Sequence, residues 1–209
     1  YIQAAAQSMA PHLEAPALVI LESTTYPGTT EEALLPLLTE EGEEPDEDLY
    51  VAFSPERVDP GNEVYKIDNT PKVVGGIDED STVLAQALYS QMIDLVHPVG
   101  SATEAEMVKL LENTFRAVNI GLVNEMALMC DRMDIDIWEV IEAAETKPFG
   151  FMAFYPGPGI GGHCIPLDPT YLSWRAKSFG FYNRFIELAS DINTNMPRFV
   201  VDKLARLMN

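Results

Sequence analysis

Chemistry-bearing residues are scarce in this 209-residue chain. It has two cysteines, three histidines, and 13 lysines and arginines against 33 aspartates and glutamates. Each shortage excludes something. Cys130 and Cys164 stand at unrelated positions, which gives neither a disulfide framework nor a metal-ligand cluster. No metal is expected, and free thiols suit a reducing cytoplasm, the expected location. A net charge of -20 repels nucleic acid and anionic membranes, so neither is expected as a partner. No apolar run approaches the roughly 18 residues of a membrane span. No basic segment followed by an apolar one opens the chain, so no secretory signal is expected. No internal repeat is evident.

What remains is ample for a core. Hydrophobic residues make up 47% of the chain, enough for one large or two small domains. Seven acids crowd the nine residues from Glu40 to Asp48, "EEGEEPDED". They read as a solvated loop on an acidic surface. The same balance suits a high-salt cytoplasm, where screening relieves self-repulsion.

The first part alternates between two patterns. "APALVILEST" (15–24), "LYVAFSPE" (49–56), "TPKVVGGI" (70–77) and "LVHPV" (95–99) are short apolar runs ending in turn residues. They read as strands covered on both faces. "EEALLPLL" and "DSTVLAQALYSQMI" read as helices between them. Alternation of this kind predicts an α/β fold with a parallel sheet, and ligands lie beyond the carboxyl ends of such strands. "STT" and "SPE" therefore fall at a ligand edge.

After Val99 the pattern is helical only. Ser101 and Glu104 form a capping-box signature, and no proline interrupts the chain to about Met133. Met107, Leu111, Phe115, Val118 and Leu122 make a stripe at helical spacing. A helix near 30 residues would run about 45 Å, more than a small domain buries alone, so a partner chain is expected to cover part of it. Asp136 with Glu139 starts a second helix. Asp168-Pro169 is expected to open a third, with Asp168 as its N-cap and Gly180 at its end. The last segment, 183–209, is expected to be helical with a break or kink near Pro197.

The stretch "PGPGIGGHCIPLDP" (156–169) contains the spacing G-x-G-x-x-G at Gly157 to Gly162. A dinucleotide fingerprint needs a strand before it and a helix opening through it. Here turn residues precede it, and two prolines in the exit argue against a helix. The glycines instead allow a ligand to approach bare backbone, with the thiol of Cys164 next in line. Read alone, Cys164 is either a small buried cysteine in a tight turn or a nucleophile. Lys109, Asn113 and Arg116 share one helix face, either solvated or turned towards a ligand. Because that face continues through Ile120 and Ala127, it is expected to become buried. Glu56 is either an exposed loop acid or a general base. His163 neighbours the thiol, but adjacent side chains point apart. A cysteine hydrolase lacks a convincing His–Asp pair.

Taken together, "ESTTYPGT", "FSPERVDPGN", "ATEAEMVKLLENTFRA" and "GPGIGGHCIPLDP" resemble motifs of the UDP-glucose/GDP-mannose dehydrogenase family, in order and spacing, over essentially the whole chain. "SPERVDPGN" with "GGHCIPLDPTYLSWRA" is most similar to the branch acting on UDP-N-acetylhexosamines. The resemblance implies NAD as cofactor, a UDP-sugar substrate, and a homodimer built on the long helix. It implies that residues 1–99 are the C-terminal part of a Rossmann-like NAD-binding domain. Residues 100–209 would be a helical dimerisation and catalytic domain.

The implied reaction oxidises the C6 alcohol of the sugar to a carboxylate through a cysteine thiohemiacetal and thioester. Cys164 is then the nucleophile, and the sulfur at 164 and the ammonium at 109 act on one carbon. Lys109 and Asn113 stabilise the oxyanion. Asp168 orients a water or the lysine, and Glu56 is the base for thioester hydrolysis. Thr24 sits near the nicotinamide with Ser23 and hydrogen-bonds a catalytic water. Arg57, Val58, Arg116 and Gly161 contact the sugar nucleotide. Pro60 stands where some relatives carry a second glutamate. The other expectation is a dimerisation module that is inactive by itself, because the phosphate-binding half of the dinucleotide site is missing.

Overall fold

The computed structural model describes residues 1–39, 48–59 and 61–208. The acidic run lies outside them except for Asp48, as does Pro60. The chain divides into two compact units, Tyr1–Leu110 and Leu111–Asn209.

The first unit is built on a four-stranded sheet in the order β1-β2-β3-β4: β1 Ala17–Leu21, β2 Leu49–Phe53, β3 Lys72–Gly76 and β4 Val96–Pro98. All four are the apolar runs read from the sequence. The wholly parallel expectation needs one correction. β1 pairs with β2 and β3 with β4 in parallel, but β2 pairs with β3 antiparallel, Ala52 opposite Gly76. The reason lies in the connection. No helix occurs among the described residues between β2 and β3, and neighbours that run parallel need a crossover, usually helical.

Helix α1, Ile2–Met9, precedes β1 and buries Ala6. A π-helical turn, Thr30–Leu34, leads into α2, Leu35–Leu38. Helix α3, Glu79–Tyr89, starts at Asp78, whose carboxylate accepts from Ser81 N at 2.6 Å. The sheet is covered on both faces. On one face Val51 and Val19 pack with Ala6 and Leu34, and Phe53 and Val73 with Ala102 and Ala105; on the other Ala52 and Val74 pack with Ala85 of α3. Phe53 is 1% exposed, and burying a side chain of that size contributes roughly 1.5–3 kcal/mol.

Ala102 and Ala105 open the long helix α4, Ala102–Met133, of 32 residues and about 48 Å. Ser101 Oγ accepts from Glu104 N at 3.1 Å, as the capping signature predicts. The two faces of α4 are the reverse of a simple amphipathic helix. Met107, Leu111, Phe115 and Leu122 are exposed. Apart from Leu110, the buried register holds mainly small and polar residues, among them Glu106, Asn113, Ala117, Asn124 and Ala127.

In the second unit, α5 (Ile137–Glu145) is capped by Asp136, which accepts from Trp138 N at 2.9 Å. Helix α6 spans Cys164–Ser178 and α7 spans Arg184–Met208. Gly121 of α4 lies against Ala189 of α7, where an added Cβ would come within 3.0 Å of the Ala189 Cα. That close approach explains the small side chains of the buried register. The expected break near Pro197 is absent; α7 is continuous through it.

Candidate active site

The loops beyond β1 and β2 lie at one edge of the sheet because those strands are parallel. After β1 come Glu22, Ser23 and Thr24. Ser23 is exposed and Thr24 half-buried. After β2 come Ser54 to Val58. Ser54 is buried and donates its hydroxyl to Val73 O at 2.8 Å. Arg57 reaches Pro71 O at 2.6 Å through its guanidinium, and Val58 N donates to the Glu56 carboxylate at 2.6 Å. Of the backbone contacts expected from Arg57 and Val58, the Val58 N–H is therefore engaged within this unit. Lys109 Nζ lies 2.5 Å from the carbonyl oxygen of Glu56. Two sequence-predicted residues, 53 positions apart, are thus brought together.

Three residues that sequence reasoning missed flank this edge. Lys72 Nζ is 2.8 Å from Glu22 Oε1, and Tyr89 donates its hydroxyl to the same oxygen at 2.7 Å. Burial pushes Glu22 up, but the Lys72 and Tyr89 hydrogen bonds with the lysine charge outweigh it and hold the carboxyl below its usual range. Burial, with the Glu22 carboxylate beside it, drives the Tyr89 phenol well above its ordinary value. A cavity of about 220 Å³ opens here, lined by Glu22, Arg57, Thr70, Lys72 and Tyr89.

In the second unit the glycine stretch is a loop with no strand before it, so Gly157–Gly162 is not a dinucleotide fingerprint. Its exit overturns the expectation of no helix. Helix α6 begins at Cys164 itself, with Pro166 in its first turn. N–H groups of a first helical turn have no helical partners, so a proline there removes nothing. Pro169 lies inside the helix, where it forgoes one bond to the preceding turn. Asp168 is consequently not the N-cap. It is the fifth residue of α6, 2% exposed, and accepts from Asn113 Nδ2 at 2.6 Å. Gly180 closes α6 as expected. Phe181 N bonds Ala176 O and Gly180 N bonds Lys177 O, the double bond of a Schellman end.

Cys164 is a free, exposed thiol, so the buried-turn reading fails. Gly161 and Arg116 are exposed too. Of the face Lys109–Asn113–Arg116, only Asn113 is buried; Arg116 departs from the expectation because α4 turns its buried register away from that position.

Two asparagines that the sequence did not single out hold the loop ahead of the thiol. Asn124, fully buried, donates to Asn193 Oδ1 at 2.9 Å and accepts from Gly157 N at 2.9 Å. Asn193 donates to Ala117 O at 3.1 Å. Gly159, at φ +110°, lies against α7: a Cβ there would meet Asn193 O at 3.1 Å. Pro197 explains the fit, since its missing N–H leaves the Asn193 carbonyl without its helical donor.

Residues 1–93 match the NAD binding domain of the UDP-glucose/GDP-mannose dehydrogenase family, and residues 103–195 match that family's central domain. The chain belongs to this family. Its relatives include the UDP-N-acetyl-D-mannosamine dehydrogenase of Methanocaldococcus jannaschii, 38% identical over 100% of this chain and 46% of the relative. The UDP-N-acetyl-D-glucosamine 6-dehydrogenase of Pseudomonas aeruginosa is 39% identical over 98% of this chain and 48% of the relative. The solved structure of the UDP-D-ManNAc dehydrogenase of Pyrococcus horikoshii superposes with a TM-score of 0.87 at 39% identity, covering 99% of this chain and 48% of that one. The chain thus spans about half the length of the dehydrogenases it matches. Among the described residues no helix is long and apolar enough to cross a membrane, and no cluster could hold a metal ion.

Proposed function

We propose that this chain serves an NAD-dependent dehydrogenase that oxidises the C6 alcohol of a UDP-N-acetylhexosamine to the carboxylate. The observation that carries the reading is the exposed thiol of Cys164 at the first residue of α6, with Asp168 buried five residues into that helix and held by Asn113.

The residues present fit one end of NAD. Hydroxyls of Ser23 and Thr24 stand beyond two adjacent parallel strands, the edge where such sheets hold ligands. NAD, when bound, would accept one hydride per molecule, so two molecules are reduced for each alcohol taken to the carboxylate. Ser23 and Thr24 would hold it. No strand-led glycine fingerprint occurs among the described residues to cradle its phosphates.

Cys164 has the central task. An aldehyde carbon is planar and cannot release a hydride until something adds to it. The sulfur adds, forming a C–S bond and an oxyanion that becomes a thiohemiacetal. Loss of hydride from that carbon leaves a thioester on Cys164, and water cleaves it to the carboxylate and the free thiol. Lys109 gives one N–H to Glu56 O, which leaves its other hydrogens for the oxyanion. Asn113 likewise keeps one amide hydrogen after its bond to Asp168. Glu56 is the general base for the water, and Asp168 orients it. Arg57, Val58, Arg116 and Gly161 contact the sugar nucleotide. The exposed stripe of α4 is the homodimer surface.

A protein of the relatives' length carrying this chain tests the reading. Cys164→Ala is expected to abolish acid formation while leaving the fold unchanged, because the side chain is exposed. Undiminished uronate yield in that variant would overturn it. The second reading, an inactive dimerisation module, is favoured for the chain alone by the absent phosphate cradle. NADH formation from UDP-N-acetylglucosamine by the isolated 209 residues would exclude it.

A further inference from the structure

We propose that Glu106 is a positioning residue that fixes the loop carrying Ser23 and Thr24, and so the cofactor edge of the sheet. The inference rests on the reading of those two hydroxyls given above.

Glu106 is the fifth residue of α4 and 1% exposed. Both of its carboxylate oxygens are used, and by one loop. Oε2 accepts from Gly28 N at 2.5 Å. Oε1 accepts from Thr30 N at 2.8 Å and from the Thr30 hydroxyl at 2.7 Å. Burial drives this carboxyl above its usual range, against the Thr30 and Gly28 bonds, and the neighbouring charge is another acid, Glu31. Among the described residues no cation pairs with it. Packing α4 on the sheet does not call for a carboxylate; Ala102 and Ala105 already do so with methyl groups. A buried anion satisfied only by N–H and O–H donors is a directional device, since it tolerates little displacement of the donors.

The loop is built to transmit that grip. Thr29 donates its hydroxyl to Tyr26 O at 2.7 Å, which makes Thr25 the donor in the 2.6 Å Thr25–Thr29 contact. Thr25, Thr29 and Thr30 are all buried. The segment from Thr25 to Thr30 is therefore bonded within itself, tied to β1 at one end and to Glu106 at the other, with Ser23 and Thr24 between β1 and the bonded part. Three residues along α4, Lys109 grips the β2 loop at Glu56 O. The two grips have opposite chemistry: a carboxylate collects N–H donors, and an ammonium takes a carbonyl. One helical turn thus orients both loops of the ligand edge.

Amide hydrogen exchange tests the proposal on the chain as it stands. Glu106→Gln keeps one acceptor oxygen but sets an amide N–H against the Gly28 N–H. Thr30→Val deletes one hydroxyl donor at nearly constant shape. Glu125→Gln, exposed on the same helix, is the charge-matched control. Exchange at Gly28 in Glu106→Gln, and at Thr30 in Thr30→Val, is expected to rise at least about tenfold, about 1.4 kcal/mol of local opening. Amides of β1 and β2 and the control should stay unchanged. In a protein of the relatives' length, KM for NAD should rise about tenfold in Glu106→Gln while KM for the sugar nucleotide stays within about twofold. Unaltered exchange at Gly28 and Thr30, or acceleration shared equally by β1 and β2, overturns the proposal. Should Glu106→Gln fail to fold, Thr30→Val decides on the same readings. If the native protein reduces no NAD, the dehydrogenase reading falls, and the exchange pattern alone decides the role of Glu106.

Discussion

Replacing Asn124 by alanine should unfasten the loop ahead of Cys164 and weaken the second unit together. Asn124 serves one buried partner, Asn193, and one half-buried partner, Gly157. Its loss leaves the Gly157 N–H and the Asn193 side-chain oxygen without their partner. A stranded buried group costs about 1–3 kcal/mol and a half-buried one less, so the single substitution should destabilise by roughly 1–4 kcal/mol. That is a large fraction of the 5–15 kcal/mol or so of a typical domain. Asn193→Ala breaks the same Asn124–Asn193 bond from the other side and also the bond to Ala117 O. The double variant therefore cannot lose the sum. A coupling of about 0.5–3 kcal/mol is expected in the cycle measured by urea denaturation. Thiol alkylation followed by mass spectrometry gives the functional reading. Native protein should label at exposed Cys164 and spare Cys130, which is 4% exposed. Asn124→Ala should alter the Cys164 rate before it exposes Cys130. Additive energies, or a Cys164 rate that follows global unfolding, would refute the argument.

The acid limb of stability should carry a Glu22 component. Its folded-state carboxyl is lowered, so its contribution is present above the unfolded value of 4.5 and is lost as pH falls through the folded one. The stability gap between native protein and Glu22→Gln should accordingly be full at pH 6 and narrow as pH falls below 4.5; its side chain is 50% exposed, so under about 1 kcal/mol is expected. A gap that widens on acidification would contradict the assignment. Leu122→Glu, in the middle of the exposed stripe of α4, should leave the fold intact and convert a dimer to monomer in sedimentation. Unchanged sedimentation would remove α4 as the dimer surface.

Much of the fold was legible because its signals are local. The four strands are apolar runs bounded by turn residues, and Ser101 and Asp136 each cap the helix their position predicts. Candidate site residues could be named where several motifs stood in order. Other errors came from applying a local rule without its position. Proline disfavours a helix interior, yet Pro166 sits in a first turn and Pro169 is tolerated within α6, and so Asp168 moved from the helix cap into the buried interior beside Asn113. Glu106 did leave a trace: an acid on the register Ala102–Glu106–Leu110, whose other members are apolar and buried. The gap without a helix pattern between β2 and β3 was the corresponding trace of the antiparallel pair.

By itself the sequence determined the elements, the motif order, and the identity of the groups able to do chemistry. Those depend on side-chain periodicity, capping and residue type, all encoded within a turn or two of chain. The tertiary structure alone decided which face of α4 is buried, which strands run antiparallel, and which distant groups meet: Lys109 with Glu56, Glu106 with Gly28 and Thr30, Asn124 with Asn193 and Gly157. Such pairings rest on whether a buried polar atom finds a donor or acceptor far along the chain. No local pattern carries that, because the energy of an unsatisfied buried group exists only once the fold has removed it from water.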